Sequence, residues 1–242
     1  MKPYLIARNR GFTLLETVIA IGVLAVLLTG FMVVFTPAAE GIRKSINVQQ
    51  ADRLASAVEQ ELVTLRNKDF STGFEKSYEW IKGSSKNVDG ALMAYQYRGE
   101  LGTLRPEDGT PNPVVSLKGK LPGKDYMVTP IVRRMNDPNF KKDLAAVEGP
   151  IYMVTCTQLG FEGGELVLGD GGKIVDPKLE SQKMKVRPSV PYIDYPEAVI
   201  AFSADFYQLA GKNDSYFNSK SFKDKVSLPK NPVFSRNLAV RR

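Results

Sequence analysis

A nearly unbroken apolar run extends from Phe12 to Thr36 and holds one charge, Glu16. At about 1.5 Å rise per residue, a helix of that length exceeds the roughly 30 Å hydrocarbon core of a bilayer. Beyond Pro37 the pattern becomes periodic. Ala51, Leu54, Ala55, Val58, Leu62 and Leu65 recur at helical spacing, with Arg53, Glu59, Gln60 and Arg66 on other faces. One helix to about Arg66 is predicted: a first half for lipid or a helical core, and a second half with an apolar stripe. Pro37 has no amide hydrogen, so a kink or local loosening is expected there. Further on, short β-rich runs predict strands at Ala91 to Arg98, Val114 to Lys118, Tyr126 to Arg133, Ile151 to Gln158, Glu165 to Leu168, Lys173 to Val175 and Ala198 to Leu209. Turn chemistry at Arg105 to Pro113, Asn136 to Asn139 and Gly169 to Gly172 predicts exposed loops between them, the last a hairpin turn.

These elements predict an α+β fold, a long N-terminal helix packed on an antiparallel sheet. The division expected is a basic leader at 1–11, a membrane half of the helix at 12–36, its amphipathic continuation at 37–66 and a β-rich domain at 67–242. Composition narrows the chemistry. The sequence contains no histidine, which excludes His-based triads and His-ligated metal sites. Cys156 is the only cysteine, so no disulfide forms within the chain, and its strand-like surroundings predict a buried, inert thiol.

Lys2, Arg8 and Arg10 precede the apolar run without an acid among them. That bias holds the N-terminus in the cytoplasm and sends the chain beyond Pro37 across the membrane. The small residues of Pro37 to Glu40 resemble a signal-peptidase site, but the run is longer than the roughly 7 to 15 residues of a removable signal. A plain anchor accounts for length and flank and gives no reason for Glu16. A carboxylate entering hydrocarbon costs several kcal/mol unless paired or held near the interface. The run itself offers no cation. A cut between Gly11 and Phe12 would create one, because the freed Phe12 ammonium lies close ahead of Glu16 and a neighbouring copy's Glu16 could meet it.

The succession of a basic leader, Gly11, Phe12, Thr13, Leu14, Leu15, Glu16 and an apolar stretch resembles the type IV pilin and pseudopilin family. The resemblance implies cleavage after Gly11 by a prepilin peptidase, N-methylation of Phe12, and assembly through Glu16 with other pilin or pseudopilin subunits on an inner-membrane platform. It also implies the pilin-like fold already expected, and no catalysis or cofactor. Pro37 lies farther along than the proline of many family members, and there is no C-terminal cysteine pair. The large exported portion points to a minor pilin or pseudopilin, located in the inner membrane and then in a pilus or pseudopilus.

From Lys212 onward only Asp214 and Asp224 oppose the basic residues, so most of the chain's net charge of +7 lies there. Lys220, Lys223, Lys225, Lys230, Arg236, Arg241 and Arg242 are candidate anion-binding residues, for DNA or an anionic glycan. Tyr216, Phe217, Phe222 and Phe234 interleave with them and suit either stacking on nucleic acid or packing on the domain. The glycine-rich stretch ending at Lys173 fails the phosphate-loop spacing, since Val167 stands where its first glycine is required and Ile174 where a hydroxyl is required. Glu107, Asp108 and Asp170 read as solvated loop acids. They lack the alternation of a calcium loop, and Glu107 with Asp108 lacks the two-sided geometry of a hydrolase pair.

Overall fold

The computed structural model describes residues 13–65, 70–179, 183–227 and 231–242. Helix α1 (Leu14–Val63) runs on through Pro37. The chain divides into two compact units between Ile46 and Asn47. In the first, every residue from Leu14 to Phe35 is exposed. In the second, Ala51, Leu54, Ala55, Val58 and Leu62 are buried, as their period predicts. Leu65 departs from that expectation. It lies beyond the helix end at Val63 and is 46% exposed.

The sheet contains β1 (Leu92–Leu104), β2 (Pro111–Pro113), β3 (Tyr126–Arg134), β4 (Val147–Glu162), β5 (Glu165–Leu168), β6 (Val199–Gln208) and β7 (Phe234–Arg241), all paired antiparallel. Its main order is β3-β1-β4-β6-β7, with β2 on the far half of β1 and β5 on the far half of β4. Both faces are covered. Leu92, Ala94, Tyr152, Val154, Phe202 and Phe206 meet the second half of α1 and α2 (Gly73–Ser84). The intervening Met93, Tyr95, Tyr97 and Met153 meet α3 (Pro138–Asp143), α4 (Asp214–Phe217) and α5 (Lys220–Ser227) on the other face.

Several expectations give way. Val114 to Lys118 is not a strand: the pairing segment is Pro111–Pro113, and Val114 bonds with Arg98, its amide donating to the Arg98 carbonyl at 2.8 Å and its carbonyl accepting from Arg98 Nε at 3.0 Å. Lys173 to Val175 supplies one isolated bridge, Val175 to Ser189. The hairpin turn lies at Gly163 and Gly164, both with positive φ, between the paired Glu162 and Glu165, rather than at Gly169 to Gly172. Helix α2 and strand β7 are elements the hydropathy pattern does not predict. Thr72 caps α2 by accepting from the Glu75 amide at 3.1 Å, while Glu75 accepts from the Ser71 amide at 2.8 Å.

Lys76 on α2 ties the end of α1 to the domain. Its ammonium donates to the Glu61 carbonyl (2.6 Å), the Glu61 carboxylate (2.7 Å) and the Thr64 carbonyl (2.5 Å), and lies 4.3 Å from the Trp80 ring centre. Carbonyls left open at a helix end are satisfied here by a buried cation.

Candidate functional site

Thr13 stands immediately before α1, and Thr13-Leu14-Leu15-Glu16 has the spacing of a capping box. The pairing is reciprocal. The Glu16 amide donates to Thr13 Oγ1 (3.2 Å), while the Thr13 amide and hydroxyl both donate to Glu16 Oε2 (2.8 and 2.9 Å). Glu16 therefore has a local partner in Thr13, which is not a cation. Both bonds converge on one oxygen, and Oε1 has no hydrogen-bond partner among the described residues. A carboxylate in the first turn also faces the positive end of the helix dipole.

Downstream, the hydroxyls of Thr17, Thr29 and Thr36 donate to the carbonyls of Thr13, Ala25 and Met32 at 3.2, 2.8 and 2.9 Å. Each polar group is satisfied within the helix, leaving an apolar exterior. Among the described residues α1 is long and apolar enough to cross a membrane. Gly11 and Phe12 lie outside the described residues.

Residues 6–32 match the prokaryotic N-terminal methylation motif. This is the type IV pilin and pseudopilin signal, and it takes in Gly11, Phe12, Glu16 and the first turns of α1. Together with an α+β fold of one long helix and an antiparallel sheet, it supports a pilin-like or pseudopilin-like protein, a class of structural subunits. No curated protein and no solved structure matches the chain.

The candidate anion-binding residues of the C-terminal region are spread over separate elements. Lys220 and Lys223 are exposed on α5, Lys225 lies in the same helix, and Lys230 lies outside the described residues. Arg236, on the helix-facing side of β7 with Leu238 and Val240, pairs with Asp52 at 3.2 Å. Arg242 donates to the carbonyls of Tyr192 (3.2 Å) and Tyr195 (3.4 Å), with its guanidinium 4.8 Å from the Phe74 ring centre. Arg241 is exposed on the opposite face of β7 from Arg236. The interleaved aromatics belong to the core. Phe217 and Phe222 are buried and meet edge-on at 5.2 Å, Phe217 meets Phe140 at 5.1 Å, and Phe234 packs on Phe206. They are thereby removed from stacking on nucleic acid.

The proline- and glycine-rich loop after β1 is not the solvated loop its composition predicts. Arg105, Asp108 and Thr110 are buried, as is Asn139 of the second predicted loop. Arg133 of β3 gathers them, donating to Asp143 (2.9 Å), Asp108 (2.6 Å), Asp137 (3.0 Å) and the Thr110 hydroxyl (2.9 Å). Arg105 also pairs with Asp143, which accepts the Tyr95 hydroxyl at 2.6 Å. Burial pushes the Asp108 carboxyl upward, but hydrogen bonds from the Thr110 hydroxyl and amide and the charge of Arg133 outweigh it and hold the group down at about 2. Burial and the neighbouring Asp143 raise Tyr95 well above its ordinary range. Carboxylates so fully engaged are poor proton acceptors, and Glu107 beside Asp108 is solvent-exposed, with its carboxylate 3.9 Å from Lys142. The pair cannot work as two facing catalytic acids.

Proposed function

We propose that this chain is a structural subunit, a minor pilin or pseudopilin of a type IV pilus or type II secretion system. A prepilin peptidase cuts between Gly11 and Phe12, Phe12 is N-methylated, and the subunit waits in the inner membrane with its basic end cytoplasmic and the sheet domain exported. Assembly proceeds through α1, and any loosening at Pro37 lets the helix adapt to its neighbours. The supporting observation is the coincidence of the methylation motif at 6–32 with an exposed apolar stretch of α1, Leu14 to Thr36, whose one charge, Glu16, stands in the helix's first turn.

Glu16 serves two partners in this reading. Oε2 remains with Thr13 and caps the helix, while Oε1 receives the ammonium of Phe12 from an adjoining subunit. Neither charge is then left alone where water is scarce, and register between subunits is set by the pairing. The platform that receives the subunit acts on the membrane-embedded form. The weaker reading is a membrane-anchored protein whose basic C-terminal region captures DNA or anionic glycan. Arg236 and Arg242 already have partners within the domain, which leaves that reading fewer cations to use.

Mass spectrometry of membrane-derived protein tests the proposal. An N-terminal N-methylphenylalanine at Phe12 is expected; an intact Met1 or a terminus near Glu40 overturns it.

A further inference from the structure

Strand β3 is covered by the domain along only part of its length. Ile131 and Val132, on opposite faces of the strand, are 4% and 3% exposed, whereas Met127 and Val128, likewise on opposite faces, are 49% and 45% exposed. Both sides of this arm are therefore bare among the described residues. It pairs with Arg98 to Glu100 of β1 and carries the connection from β2, in which Val115, Leu117 and Leu121 are exposed as well. A surface made for one protein partner gathers its apolar groups on one side, while an arm apolar on both sides suits a medium that surrounds it.

The arm also has a direction. Asn47, the first residue of the second unit, donates through its side-chain amide to Gln208 at 2.8 Å and accepts the Tyr152 hydroxyl at 2.9 Å, while Asp52, farther along α1, meets Arg236. The chain thus enters over the end of the sheet where Ala94, Tyr152 and Gln208 are paired, and α1 runs on toward the middle of β6 and β7. Strand β1 runs the other way, and from Ala94 to Glu100 it continues about 20 Å past that entry. The connection from the apolar run, Pro37 to Ile46, spans about 15 Å as helix. A domain on so short a tether keeps this end toward the membrane that holds the apolar run, and the arm is the longer of the two.

We propose that the arm rests on the surface of the phospholipid bilayer that holds α1, with Leu117, Leu121, Met127 and Val128 entering the headgroup region and the ammonium groups of Lys118 and Lys124 on lipid phosphates. The two lysines are exposed beside these apolar side chains, and neither has an ion-pair partner among the described residues. Their stems can lie along apolar surface while their charges meet phosphate. Lys120 is already engaged by Glu100 at 2.6 Å. The inference rests on the reading of α1 as a membrane helix and adds a second contact with the same bilayer.

Leu117→Cys is labelled with nitrobenzoxadiazole, Cys156 being buried and out of reach of the reagent. The full chain is then reconstituted into vesicles of phosphatidylethanolamine and phosphatidylglycerol, with and without doxyl-labelled lipid. Quenching by the doxyl groups is expected for the label at Leu117→Cys and not at Glu165→Cys, in the hairpin at the opposite end of β4. Adding Lys118→Gln should lower the contact equilibrium constant about fivefold, with an unchanged circular dichroism spectrum. A chain that does not float with the vesicles removes the membrane helix and the arm contact together, whereas flotation without quenching at Leu117→Cys removes the arm contact alone. A label whose emission shifts to the blue but is not quenched by doxyl lipid assigns the patch to a second copy of the chain and likewise overturns the proposal.

Discussion

Thr13 and Glu16 cap one another across the first turn of α1, each accepting the other's backbone amide. The acid is thus a helix-starting residue before it is anything else, and its two oxygens are unequal, with one engaged and one open. Loss of the Thr13 side chain removes half of the box. Thr13→Ala is expected to cost about 1 kcal/mol at that terminus, so amide hydrogen exchange at Glu16 and Thr17 in micelles should speed up roughly fivefold. Unchanged protection there would show that the box contributes nothing.

Glu16→Ala should leave cleavage after Gly11 intact and reduce entry into filaments. It should not lower the denaturation midpoint of the sheet domain, because Glu16 is exposed and forms no part of the two clusters that make the core. Immunoblots of sheared filaments against whole membranes check the first part, and wild-type incorporation would remove the proposed pairing.

Arg133→Met leaves Asp108 and Asp143 buried with their principal cation gone. Breaking such a cluster from one side is expected to cost about 3 to 5 kcal/mol, read as a lower midpoint in urea unfolding. Arg133→Lys keeps the charge but not the fork that reaches four acceptors, so its midpoint should fall between the two.

Acid should unfold the domain through the same cluster. Asp108 titrates at about 2 in the folded protein and near 3.9 when unfolded, so its contribution is complete above about pH 4 and is lost as pH falls toward 2. The amount is about 2 kcal/mol. Asp108→Asn should flatten the decline in unfolding free energy between pH 4 and 2, and an equally steep decline in that variant would assign the acid sensitivity elsewhere.

Cys156 is 1% exposed on β4, and burial pushes its thiol up to about 12. Alkylation by iodoacetamide at pH 8 is expected to be negligible in the native protein and complete in urea. Mass spectrometry of the two samples distinguishes the states, and labelling of the folded chain would contradict the packing around Ser84, whose hydroxyl accepts the Cys156 amide at 2.8 Å.

The parts of the fold that announce themselves in the sequence are those whose side chains obey a period. Ala51, Leu54, Ala55, Val58 and Leu62 mark α1's buried face, and Glu165–Leu168 is found at its predicted ends. Strand β7 escapes notice because Arg236 and Arg241 dominate a stretch whose buried residues are only Leu238 and Val240. Helix α2 escapes because glycines, charges and a buried lysine obscure its apolar face. The loop acids are misjudged for a different reason. Asp108 looks solvated beside Pro106 and Gly109, and the residues that bury it, Arg133 and Asn139, are distant in the chain. At the N-terminus the motif through Glu16 is legible, and so is the threonine three residues earlier, but a capping box is less conspicuous than a lone acid in an apolar run.

The grip of Lys76 on the last turn of α1 decides how the domain meets mechanical load. Tension arriving along the helix reaches a stem whose Leu54, Val58 and Leu62 are buried among the side chains of the sheet, and whose final carbonyls are pinned from α2. Those attachments lie side by side along the stem and resist sliding together, so the stem is pulled in shear and they must give way at once rather than peel apart one after another.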